Sequence, residues 1–143
     1  MSSIKLRYDI PANDFVTAGE ASSYVKKRLT QLGLSSDIIK KAAISMYEAE
    51  INAVIHGNGG YADVEIYREK VIINIIDNGP GIPDVELAMK EGYSTASDNI
   101  REMGFGAGMG LPNIKRYADK LEIFTEVGKG TKVVITVYFG GVI

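Results

Sequence analysis

Four glycines alternate with other residues in GFGAGMGLPNIKR, residues 104–116, and the run leads straight into a helical pattern. Gly104, Gly106, Gly108 and Gly110 leave a backbone with no Cβ to hold a ligand off. The helix that follows opens on unpaired N–H groups and a dipole that favours negative charge. Such a segment can cradle phosphate; the competing reading is a hinge with a glycine-lined turn. No G-x-x-x-x-G-K-[ST] occurs in the chain. The dinucleotide fingerprint is also absent, because the glycine spacing is two throughout and the segment does not follow the first strand.

Two further groups of residues have types suited to chemistry. Asp77-Asn78-Gly79-Pro80-Gly81-Ile82 directly follows the apolar run VIINII. A carboxylate at a strand end can accept a hydrogen bond from an exocyclic amine such as adenine N6, while flanking glycines let backbone approach a flat ring. The same tripeptide start, Asp-Asn-Gly, is also an ordinary turn. On a predicted helix, Glu48, Asn52 and His56 recur four apart and share one face. A carboxylate beside a carboxamide can act as general base and hard-cation ligand, and an Asn oxygen suits Mg2+. Taken alone, the pattern favours an amphipathic core helix with a polar side. Glu50 points elsewhere on that helix and is expected to be a solvated charge. His56 is expected to be structural, near the helix end.

The elements that must position these residues follow from periodicity. IKLRYDI (4–10) alternates and stops at Pro11, as a strand would. From Asp14 to Leu32, Phe15, Ala18, Ala21, Val25 and Leu29 form a helical stripe closed by Gly33. Ser35-Ser36-Asp37 caps a second helix running to about Gly57, with Ile38, Ala42, Met46, Ala49 and Ala53 on one face. ADVEIY and VIINIID then form a hairpin through Arg68-Glu69-Lys70. A turn-rich stretch from Asn78 to Gly110 carries a short helical piece near Val85–Lys90. A helix over Leu111–Lys120 follows, with Pro112 in its first turn, and then a second hairpin of LEIFTEV and TKVVITVYF. The order βααββ, loop, αββ predicts a two-layer α+β sandwich in one domain, residues 1–143. Some thirty residues of little regular structure between Asn78 and Gly110 mark a functional lid.

Composition removes other chemistries. With no Cys there is no disulfide, thiolate zinc site or cysteine nucleophile, and a single His disfavours a His metal cage or a Ser-His-Asp triad. Ten of the sixteen glycines fall between Gly57 and Gly110. A net charge of −2 gives no basic field for nucleic acid. The N-terminus lacks the apolar run of a signal peptide, and no stretch approaches the roughly 18 apolar residues of a membrane helix. A cytoplasmic protein with no membrane contact is the expectation.

The three groups together could surround a nucleotide from base to γ-phosphate. In these motifs the sequence resembles the GHKL ATPase superfamily, which includes gyrase, Hsp-type chaperones, histidine kinases and MutL. EAEINAVIHG resembles its N-box, DNGPGIP its first glycine box, GFGAGMGLP its second and GKGTKVVITV its closing hairpin. The resemblance spans roughly residues 35–139 and implies a mixed, mostly antiparallel sheet with helices on one face. Within the superfamily the chain is most similar to the anti-sigma-factor and switch-protein serine kinases of the RsbW, SpoIIAB and RsbT type, and to RsbT most of all.

The resemblance implies Glu48 as catalytic base, Asn52 as Mg2+ ligand, Asp77 on adenine N6, and Gly79 and Gly81 beside the base. It further implies Gly106, Gly108 and Gly110 around the phosphates of ATP, Ile82, Met109 and Leu111 among the ATP-binding residues, and Thr131 supporting the adenine site. Lys90 and Arg101 could add positive charge from the lid, against the plainer reading of solvated surface charge. The only His lies within the N-box, and the chain ends just after its last strand, so an acceptor is expected on another molecule. The implied function is an ATP-dependent serine/threonine kinase acting on a STAS-domain antagonist, switching between that partner and a sigma factor or phosphatase. The alternatives are an ATP-gated binding module without transfer, or a slow ATPase. Related small kinases can also dimerise through the sheet.

Overall fold

The computed structural model describes residues 3–90 and 110–142. The alternating IKLRYDI forms β1, Ile4–Ile10, in which exposed Lys5, Arg7 and Asp9 interleave with residues turned toward the helices. The first helix, α1, is Glu20–Gln31 and begins six residues later than its apolar stripe predicts. Local polar bonds explain the delay. Asp14 Oδ1 accepts from the amides of Val16 (3.1 Å) and Thr17 (3.2 Å), making a separate turn. Gly19 then enters the helix at φ 97°, a left-handed conformation that interrupts any continuous helix. Phe15 and Ala18 still pack against the core, so the stripe continues although the backbone changes.

The second helix, α2, Ser36–Ile55, is capped by Ser35, whose side chain accepts from the Ile38 amide at 3.4 Å. It is followed by the hairpin β2, Gly60–Ile66, and β3, Lys70–Asp77. A single turn, α3, Val85–Ala88, is capped by Asp84. Then come α4, Gly110–Tyr117, and the hairpin β4, Lys120–Glu126, and β5, Gly130–Tyr138. The sheet order is β1-β2-β3-β5-β4. All four described pairings are antiparallel, so the expected mixed sheet is antiparallel throughout the described residues.

The helices lie against one face of this sheet. Val25 and Leu29 of α1, Ala42 and Met46 of α2 and Ile114 of α4 are buried with Val64, Ile73 and Ile135 of the strands in one core. Each of the larger side chains contributes roughly 1.5–3 kcal/mol by leaving water. None of the described helices is long and apolar enough to cross a membrane. The register brings one end of the sheet to the site: Gly60 faces Asp77 across β2–β3, and Thr125 faces Thr131 across β4–β5.

Candidate nucleotide site

Asp77 is the last residue of β3, and its half-exposed carboxylate is held from two sides. Oδ1 accepts from the Gly79 amide at 3.0 Å and from the Thr131 amide at 3.1 Å. Both bonds favour the charged form, but burial outweighs them and raises the pKa above the ordinary carboxylate value. Thr131 acts here through its backbone. Its hydroxyl instead meets Thr125 Oγ1 at 2.9 Å, and Thr125 Oγ1 accepts from the Ile82 amide at 2.8 Å. A chain of hydrogen bonds thus ties the loop after β3 to the β4–β5 hairpin, reinforced by Gly128 N–H to Pro80 O at 2.8 Å.

Close backbone approach explains the glycines here. A Cβ on Gly57 would lie 2.5 Å from Asp77 Cβ and Cγ, and one on Gly79 would lie 2.6 Å from Gly57 Cα. Gly81, at φ 83°, runs against Glu126 O. Gly57→Ala should therefore push Asp77 off its two amide donors. The expected outcome is a loss of about 1–3 kcal/mol in denaturant unfolding and roughly tenfold weaker ATP in a binding titration.

The polar face of α2 carries the second half of the site. The Asn52 carboxamide lies against the start of α4, where a Cβ on Gly110 would sit 2.9 Å from both Asn52 Nδ2 and Oδ1. One turn earlier, Glu48 Oε1 accepts from Asn113 Nδ2 at 3.4 Å. Burial raises the Glu48 pKa, and the Asn113 bond opposes the rise only in part. Burial also lowers the pKa of His56, which favours a neutral imidazole. The carboxyls of Glu48 and Asp77 have the same sign in the pH dependence of stability. A folded-state pKa above the unfolded one contributes stability that is complete below the unfolded value, about 4, and lost as pH rises through the raised value. Glu48→Gln should accordingly melt higher than the native chain at pH 7 and show no such gain below pH about 4, as followed by calorimetry across pH.

Beside Glu48 lies an open groove of about 730 Å³ walled by Gly19, Ser22 and Lys26 of α1 and its approach, Tyr47 and Glu48 of α2, and Asn113 of α4. Glu48 thus faces the groove, while Asn52, one turn on, faces Gly110.

The structure thus brings Glu48, Asn52, Asp77, Gly79, Gly81, Ile82, Gly110 and Thr131 to the helix layer and the adjoining end of the sheet. Leu111 is buried in the core beneath the first turn of α4. Gly106, Gly108, Met109 and Arg101 lie outside the described residues, and Lys90 is exposed just after α3. One expectation is corrected. Glu50 is no solvated charge: it is 3% exposed, and its carboxylate accepts from the amides of Gly19, Ala21 and Ser22. Its position two residues from Glu48 does turn it away from the groove floor, but α1 covers the face it turns to. Sequence reasoning also passed over Gly57, Thr125 and Asn113. Asn113 carried a usable signal, since it lies three residues after Gly110 on the helix that the glycine run opens.

Residues 46–140 match the family model described as histidine kinase-, DNA gyrase B-, and HSP90-like ATPase. The chain belongs to this family. The matched span includes the residues described above from Glu48 to Thr131. Among curated relatives, the anti-sigma F factor of Clostridium beijerinckii is 33% identical over 132 residues, covering 85% of this chain and 89% of that protein. The serine/threonine-protein kinase RsbT of Bacillus subtilis is 30% identical over 124 residues, covering 84% and 85%. Both branches of the resemblance are therefore represented, with the anti-sigma F factor slightly higher in identity. The solved mycobacterial sensor histidine kinase MprB shares the fold, with a TM-score of 0.53 at 18% identity over 96% of this chain and 99% of that one.

Proposed function

We propose that this ATPase-family domain, residues 1–143 acting as one unit, is an ATP-dependent protein serine/threonine kinase of the partner-switching kind. The observation that carries the reading is the placement of Glu48. Glu48 lines an open groove, and one turn further along α2 Asn52 lies against Gly110 at the head of α4. A hydroxyl entering along the groove meets the carboxylate that can take its proton as the oxygen attacks the γ-phosphoryl group. The similarity to a named serine/threonine kinase and to anti-sigma F factors supports the same reading.

Roles follow for the chain's own residues. Asp77 Oδ2 accepts from the adenine amine, while Oδ1 stays with the Gly79 and Thr131 amides. By the family resemblance Gly79 and Gly81 are assigned to the base and Gly106, Gly108 and Gly110 to the phosphates, with Ile82, Met109 and Leu111 in the wider ATP-binding set. The Asn52 carboxamide, an oxygen donor held at the head of α4, fits a hard divalent cation and would hold Mg2+. Bound Mg2+ supplies positive charge that offsets the charge of the phosphates.

The acceptor is proposed to be a STAS-domain antagonist in the cytoplasm, with a sigma factor or phosphatase as the exchanging partner. The test incubates the chain with γ-labelled ATP, Mg2+ and candidate STAS-domain proteins from the same organism. Label on a Ser or Thr of one of them is expected. Nucleotide-dependent binding without label would replace this reading with an ATP-gated binding module, and label released only as phosphate would replace it with a slow ATPase.

A further inference from the structure

Glu50 has no part in the chemistry above, yet its carboxylate is held by three backbone amides. At 3% exposure, its Oε2 accepts from the amides of Gly19 (2.9 Å) and Ala21 (3.2 Å), and its Oε1 from that of Ser22 (2.9 Å). Gly19 immediately precedes α1, and Ala21 and Ser22 lie in its first turn. Amides there have no carbonyl partner within the helix, and the helix dipole presents its positive end to the carboxylate. A buried charge is thus compensated by three donors and a dipole, which makes these bonds stronger than neutral ones.

The same stretch touches α2 at two more places. Asn13 N–H donates to Val54 O at 3.2 Å, and a Cβ on Gly19 would lie 3.0 Å from Tyr47 Cε1. Residues 13–22 are therefore anchored along α2 at Tyr47, Glu50 and Val54, and Glu48 stands between the first two anchors. The rest of the helix contact runs through buried apolar side chains such as Val25 and Leu29. Apolar packing is non-directional and sets how far apart the helices lie. Hydrogen bonds are directional, so those to Glu50 fix where α1 sits along the α2 axis. Gly19, Ser22 and Lys26, on the stretch so fixed, form the wall of the groove opposite Tyr47 and Glu48.

We propose that Glu50 is a positioning residue for transfer to a protein hydroxyl: it sets the height of α1 along α2 and thereby the shape of the groove leading an acceptor to Glu48. The inference rests on the transfer reading above. It separates acceptor from nucleotide, because Asn52, Asp77 and Gly110 make none of these contacts with α1.

The experiment uses the full chain and the STAS-domain protein that accepts label from it. Glu50→Gln keeps the size of the side chain but turns an amide donor toward backbone donors. The acceptor KM should rise roughly tenfold, the effect of weakening hydrogen bonds to a charged group. The kcat at saturating acceptor, the ATP affinity and the hydrolysis of ATP by water should stay within about twofold, a range of order RT. Amide exchange at Gly19, Ala21 and Ser22 should quicken while the sheet stays protected. Glu50→Asp retains the charge at shorter reach and should recover part of the KM, and it carries the test if the Gln variant does not fold.

An unchanged acceptor KM in a folded variant, or an equal loss of ATP affinity and water hydrolysis, would overturn the positioning role and leave the kinase reading standing. Failure of the native chain to label any acceptor would instead remove that reading, and this inference with it.

Discussion

Glu48→Gln should cut phosphoryl transfer by roughly 10²–10⁴-fold, the range over which a positioned general base contributes, while ATP still binds with near-native affinity. The substitution keeps the side chain's size and its carbonyl oxygen, so the Asn113 amide still has its acceptor. What disappears is the ability to take a proton from an entering hydroxyl. The Asp77 and Asn52 ends of the site do not depend on Glu48 for any bond, which is why binding and chemistry should separate. The pH profile of the native chain gives an independent check. Burial lifts the Glu48 pKa above the usual carboxylate value, and only the ionised form acts as base. Transfer should therefore fall on the acid side at a pH higher than an exposed glutamate would give, with the basic limb unaffected by this group. Rapid-quench transfer measurements and an ATP titration on the same preparation test both parts. Full transfer by the Gln variant would remove Glu48 from the base role.

How much of this was legible beforehand depends on what each residue answers to. The hairpins and α2 were legible because their signals are local: alternation in VIINIID, a Ser cap before α2, a Gly-Lys-Gly turn between β4 and β5. The places of Asp77 at a strand end and of Asn52 and Glu48 on one side of α2 were legible for the same reason, since spacing alone sets them. The start of α1 was not, because the apolar period that buries Phe15 and Ala18 is indifferent to the backbone that carries them. Asp14 and Gly19 decide that backbone instead. Glu50 failed for a related reason. Helical geometry states which way a side chain leaves α2, but not that the open end of another helix waits there. Thr125 looked like one more residue in an alternating strand, and its role depends on the hairpin register that sets it across from Thr131. Local patterns specify elements; meetings between elements distant in sequence need the tertiary structure.

Asp77→Asn should weaken ATP by roughly 10²-fold or more, because it changes the sign of a hydrogen-bonding position without changing its shape. In the native chain Oδ1 is committed to the Gly79 and Thr131 amides, leaving Oδ2 as the atom able to accept from an exocyclic amine. An asparagine in this setting has its oxygen drawn to the same two amide donors, and its NH₂ then occupies the Oδ2 position. Adenine's amine would meet a donor, leaving both groups unpaired in a half-buried place, a mismatch of a kind that sites built on hydrogen bonds reject by large factors. A base with a carbonyl at the corresponding carbon meets the new NH₂ with an acceptor. Inosine triphosphate should therefore lose less affinity than ATP, and the ratio of the two dissociation constants should shift toward inosine. That ratio distinguishes a recognition defect from a folding defect, since a disturbed fold weakens both nucleotides together. Burial raises the Asp77 pKa, so the neutral Asn should not by itself destabilise the fold at neutral pH. Equal losses for the two nucleotides would mean that Asp77 supports the loop without reading the base, and an unchanged ATP affinity would take it out of the site.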